Sequence, residues 1–216
     1  MQLALDADFG GLQRWREQFG AGARAHNGGP GWMLLVFNPS KGVLLNQRVA
    51  DPSDALAVGT PLLALDLCAP AFQRNVGDDA TAHVDACLAA IDWAGVHARY
   101  KAAVHAASEA LGVDPVNVAD SLVLDVRRAA VYEQAESTLP GAAWRDPATV
   151  AEWAVGVPRE RRVTVCCVHG HEVSRATALK LRSAGLDARY LRGGIEGWIK
   201  SGLAVEARKP LAKAAS

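Results

Sequence analysis

A chain of 216 residues, half of them apolar, is long enough for one large domain or two small ones with their own cores. Basic and acidic side chains are matched at 23 each, which argues against the strongly charged classes that bind nucleic acid or membrane surfaces. No run approaches the ~20 apolar residues of a membrane span, MQLALDADFGG lacks the basic-then-apolar order of a leader, and four cysteines do not make a disulfide framework, so the expectation is a reduced, cytoplasmic protein.

In chain order, Leu12, Trp15 and Phe19 recur at helical spacing, with Asp8 placed as the cap. The cluster His26-Asn27-Gly28-Gly29-Pro30-Gly31 stops that helix. WMLLVF (32–37) and VLLNQ (43–47) flank the turn-like NPSKG and predict a hairpin, and LLALDL (62–67) predicts a third strand. Helical patterns over 80–90 and 94–111 follow. Gly112 and Pro115 then break the pattern, so the domain boundary is expected in a connector at 106–116.

Beyond it, the apolar runs LVLDV (122–126), VTVCCV (163–168) and ARYL (188–191) alternate with helical stretches, as in an α/β domain with a parallel sheet. The run ending in Cys166-Cys167 leads through a short polar loop to a helix expected from Ser174 to Ala184 and stopped by Gly185. Such a loop turns backbone N–H groups toward one point, where the helix dipole adds positive potential. A thiolate, a persulfide or a small oxyanion suits that point, because positive potential lowers a thiol pKa. Strand alternation gives Cys167 the loop side and Cys166 the opposite face; two inert core thiols are the alternative. Cys167, His169 and His171 also spell C-x-H-x-H, yet three ligands from one tight loop would need an unusual backbone. The plainer role for the histidines is to line the mouth and offer positive charge to an anion.

Four motifs in this half occur in the order and spacing of the rhodanese (sulfurtransferase) family. They are Asp125-Val126-Arg127, Leu139-Pro140-Gly141-Ala142 after Thr138, Cys167-Val168-His169-Gly170, and Arg192-Gly193-Gly194 followed by Trp198. The resemblance covers residues 116–207. It implies that Cys167 takes sulfane sulfur from a donor such as thiosulfate, holds it as a persulfide and passes it to a thiophilic acceptor. The anion-binding loop would be Val168, His169, Gly170, His171, Glu172, Val173 and Ser174, with Arg175 drawing in an anionic donor. Asp125 and Arg127 would support the site or simply pair at a strand end. The loop reads about one residue longer than the family's short form, which keeps an oxyanion reductase in view. Val173 stands where rhodanese-fold phosphatases carry an arginine, which counts against a phosphatase.

DFGGLQRWREQF, GPGWMLLV, GTPLLALDL and IDWAGVHARY resemble the C-terminal domain of iron/manganese superoxide dismutases over residues 1–105. The resemblance implies a three-stranded antiparallel sheet among helices. In place of the family's D-x-W-E-H-A-Y metal motif the chain reads Asp66-Leu67-Cys68-Ala69-Pro70-Ala71-Phe72. Asp66 matches the aspartate ligand, Pro70 replaces the histidine and Ala69 the glutamate. The chain also begins where the helical hairpin carrying two further ligands would have ended. Gln47 stands near the place of the family's solvent-binding glutamine. Cys68, His83, His97 and His105 are the side chains from which a relocated site would have to be drawn.

The expected architecture is therefore mixed α/β: an antiparallel α+β domain at 1–105 that has lost its metal, and a parallel α/β domain at 116–207. The expected activity is sulfur transfer, without a cofactor. The alternatives are dismutation, an oxyanion reductase and a non-catalytic scaffold. Expected partners are small sulfur donors and acceptors, with no nucleic acid or membrane, and a second copy or a protein partner on the first domain.

Overall fold

The computed structural model describes residues 1–25, 31–51, 59–68, 80–118 and 120–211. Contacts divide the chain into one unit of Met1–Pro39 with Val43–Ala103, and a second of Ser40–Gly42 with Val104–Ser216.

The first unit is built on α1 (Gln2–Phe9), α2 (Leu12–Arg24), β1 (Trp32–Asn38), β2 (Val43–Val49), β3 (Thr60–Asp66), α3 (Ala80–Ala89) and the greater part of α4 (Trp93–Ser108). The antiparallel sheet has the order β2-β1-β3, with Asn38 opposite Val43 closing the predicted hairpin. Central β1 buries Met33 through Phe37. Pro61 has no N–H to give a ladder, which suits its edge strand β3, and the β1–β3 register shifts between Leu35 and Val36, next to its partner. Trp15 and Phe19 of α2 are fully buried, and Trp15 meets Trp93 edge-on at 5.1 Å. Asp8 does not cap α2, whose first helical residue follows Gly11; its carboxylate accepts the Leu44 N–H at 2.8 Å.

The second unit contains β4 (Gly112–Val113), β5 (Leu122–Asp125), α5 (Ala129–Gln134), β6 (Ser137–Thr138), β7 (Ala143–Trp144), α6 (Val150–Trp153), β8 (Val163–Cys166), α7 (Glu172–Ser183), β9 (Ala188–Leu191), α8 (Gly194–Lys200) and β10 (Glu206–Ala207). Five strands form a wholly parallel sheet in the order β4-β9-β8-β5-β7, and β10 pairs with β6 apart from it. Central β8 is buried along its length. Val163, Val165 and Cys167 join one core cluster and Cys166 the other, as the period of two along a strand requires. Ligand sites of open parallel sheets lie beyond the carboxyl ends of the strands, where the Cys167 loop sits.

Candidate functional site

Cys167 follows the last residue of β8, and α7 begins five residues later at Glu172 with His171 as its N-cap. The helix therefore starts two residues earlier than Ser174, and the loop is shorter than the sequence suggests. Glu172, Val173, Ser174 and Arg175 lie in the first turn, whose leading N–H groups have no intrahelical acceptor. Ser174 is fully buried, with its Oγ 3.2 Å from Cys167 Sγ and 3.3 Å from the His171 carbonyl oxygen, and its one proton can be turned to either. Cys167 keeps 6% of its surface and Cys166 none. Burial, then the charges of Asp125 and Cys167, push the Cys166 thiol well above the ordinary range, so it stays protonated.

The loop is held from its other side by the start of α8. The Ile195 N–H donates to Cys167 O at 2.9 Å, and the Glu196 N–H donates to Val168 O at 3.1 Å. This approach requires glycine at two places. A Cβ at Gly194 would strike the carbonyl oxygens of Cys167 and Val168, and Gly170 has φ +70 with Leu191 O 2.5 Å from where its Cβ would be.

Arg175 is almost wholly buried, and its guanidinium is engaged. Nε donates to Gly170 O at 3.0 Å, Nη1 reaches Ser108 Oγ at 3.3 Å and Glu109 Oε2 at 3.0 Å, and Cζ lies 4.1 Å from the Tyr190 ring centre. The hydrogen bond and charge of Arg175 hold the Glu109 carboxyl below its ordinary range. Arg175 thus braces the loop's backbone, a different task from drawing in an anion. Val173 packs against the core cluster around Val165. His169 is exposed and pairs through Nδ1 with Glu196 at 3.2 Å.

Asp125 and Arg127 form a buried, bidentate ion pair at the end of β5, with Nη2 to Oδ2 at 2.6 Å. Thr138 Oγ1 donates to the same carboxylate at 2.9 Å, and Arg127 donates to Ser137 O at 3.0 Å. The pair ties β5 to β6, one strand away from Cys166, which lies opposite Asp125 in register. Ser108, Glu109, Tyr190 and Glu196 have no local sequence signal; Ser108 and Glu109 are 67 and 66 positions from the arginine they hold.

In the first unit a cavity of about 560 Å³ is bordered by Trp32, Asp66, His83, Cys87, Asp92 and Arg99 among others. Asp66 Oδ1 accepts the Cys68 N–H at 2.9 Å, and Cys87 Sγ lies 3.6 Å from His83 Nε2. Gln47 Oε1 is buried and has no hydrogen-bond partner among the described residues. Burial raises the Cys87 thiol, which keeps it protonated and a poor ligand. Among the described residues no three His, Cys, Asp or Glu side chains converge to hold a metal, so these side chains do not fit a redox metal. Ala69, Pro70, Ala71 and Phe72 lie outside the described residues. All four cysteines are free thiols, and no described helix is long and apolar enough to cross a membrane.

Residues 1–99 match the family model of the C-terminal domain of iron/manganese superoxide dismutases, and residues 104–201 match that of the rhodanese-like domain. The iron superoxide dismutase of Cupriavidus metallidurans is 40% identical over 104 residues, which cover 48% of this chain and 53% of that protein. Manganese superoxide dismutase 2 of Halobacterium salinarum is 35% identical over 97 residues, covering 44% and 47%. The chain thus spans about half the length of these curated relatives. Among solved structures, a rhodanese-related protein from Thermoplasma volcanium is 22% identical, with 44% of this chain and 96% of that one covered and a TM-score of 0.39. A protein from Lactobacillus plantarum is 26% identical, with 46% and 90% covered and a TM-score of 0.43. The chain is a fusion of the two kinds of domain.

Proposed function

We propose that this fusion of a superoxide dismutase C-terminal-like domain with a rhodanese-like domain is a sulfurtransferase whose carrier is Cys167. The observation that carries the reading is the position of Cys167 Sγ, at the start of a tight loop and 3.2 Å from the Ser174 hydroxyl in the first turn of α7. A hydroxyl and first-turn N–H groups stabilise a thiolate and, one bond further out, a persulfide anion.

The chemistry balances without an oxidant. The Cys167 thiolate attacks the outer sulfur of thiosulfate, the S–S bond of the donor breaks, and sulfite leaves with the electron pair. A thiophilic acceptor such as cyanide then attacks the terminal sulfur of Cys-S-S⁻. The new S–S bond breaks, thiocyanate leaves and the thiolate returns. Gly170 and Gly194 let the loop pack closely against the start of α8, and Arg175 fixes the Gly170 carbonyl so that the loop keeps its shape. The four free thiols suit a reducing, cytoplasmic setting. To the first domain we assign support of this module or docking of a second copy or a partner, and no redox step.

Steady-state transfer from thiosulfate to cyanide by the full chain tests the reading, beside Cys167→Ser and Cys166→Ala. Transfer lost in the first variant and retained in the second supports it. Transfer at the parental rate in Cys167→Ser removes Cys167 from the reaction.

A further inference from the structure

Three imidazoles border the Cys167 loop, and one of them comes from outside it. The His169 and His171 rings lie 5.3 Å apart, and His105, from the last turn of α4, stands 6.1 Å from His171. We infer that His105, His171 and His169 form an imidazole rim that selects small doubly charged oxyanions for the Cys167 loop, with His105 as its specificity-determining member. This deepens the sulfurtransferase reading and rests on it for the identity of the site.

The fixed charges around the rim nearly cancel. Arg175 and Arg192 face Glu109 at 3.0 and 3.8 Å, Arg192 also faces Asp114 at 3.6 Å, and Lys200 faces Glu196 at 3.8 Å. Glu172 acts on His105 together with Glu109, Arg175 and His171. Three cations thus stand against four carboxylates, so a proton gained by His105 turns the field at the mouth toward an anion. Arg175 is committed to the loop carbonyl and to Glu109, which leaves the attraction of an anion to the rings.

Burial, then Arg175 and His171, hold His105 below the ordinary imidazole range, so at neutral pH the ring is uncharged. An anion at the rim offsets the positive charge of Arg175 and His171 and draws a proton onto the ring. Two adjacent imidazolium rings repel one another, and a doubly charged ion relieves that repulsion more than a singly charged one. The rim therefore favours dianions, and favours them more as pH falls.

Inorganic sulfate is the probe, and its dissociation constant for the full chain is read at pH 6 and pH 8 from imidazole and amide NMR shifts. Parent protein binds sulfate ~3-fold more tightly at pH 6 than at pH 8, the part of about one pKa unit of coupling that falls in this window for a ring held below the ordinary imidazole range. His105→Gln loses most of that difference, while His105→Lys binds well at both pH values because its charge no longer titrates. Equal affinity at the two pH values in the parent, or an unchanged difference in His105→Gln, overturns the rim. The readout needs no turnover. Sulfate binding with this pH dependence but without sulfur transfer keeps the rim and removes the relay; the reverse pattern removes the rim alone.

Discussion

Cys167 Sγ and Ser174 Oγ lie 3.2 Å apart across the turn that joins β8 to α7. Seven positions separate the residues, yet the loop returns the chain so that a helical hydroxyl faces the first sulfur beyond β8. Ser174→Ala removes that donor and little volume. The thiolate loses a hydrogen bond, so alkylation of Cys167 at neutral pH should slow by ~10-fold, with sulfur transfer falling in step. Iodoacetamide kinetics followed by peptide mapping give the number.

Cys166 should behave as a core group. Its folded-state thiol sits above the ordinary range, so protonation favours the folded chain below the unfolded thiol's pKa, and that contribution fades as pH rises toward the folded value. Stability of the parent should therefore drop above about pH 9, in the range where unfolded thiols ionise. Cys166→Ala should flatten this alkaline limb. Urea midpoints at pH 7, 9 and 10 make the comparison, and parallel limbs would contradict it.

Arg175→Leu should cost about 2–4 kcal/mol, since it deletes a nearly buried cation with three polar partners and an aromatic face. Glu109→Gln should change stability little, because that carboxylate is largely exposed. Chemical denaturation of the two variants separates a brace from a surface pair.

Gly194→Ala should disturb the loop rather than the sheet. The added methyl meets the carbonyl oxygens of Cys167 and Val168 at a φ of +58. A loss of about 2 kcal/mol or more is expected, with amide shifts concentrated in residues 167–171 and 193–196. Shifts spread evenly over the five strands would contradict this placement.

The parallel sheet was legible because β5, β8 and β9 are short, mostly apolar and mostly buried runs bounded by polar loops. The two-residue strands β4, β6, β7 and β10 carry too few residues for any period to register. The start expected for α7 at Ser174 falls two residues beyond its first helical residue, Glu172. In the fold the Ser174 hydroxyl turns to Cys167 and His171 O while His171 takes the cap position. The role of Arg175 was hidden for another reason: its partners come from a segment 66 and 67 positions earlier, and nothing local announces them. Asp125 and Arg127 were legible as a pair because they sit two apart at a strand end, where a short turn brings carboxylate and guanidinium together.

Whether Cys167 carries sulfur is read from an intact-mass spectrum of the reduced full chain before and after thiosulfate. A gain of one sulfur atom, its removal by cyanide, and neither change in Cys167→Ser are expected. A parent protein that gains no sulfur, or a Cys167→Ser variant that still does, would contradict sulfur carriage by Cys167.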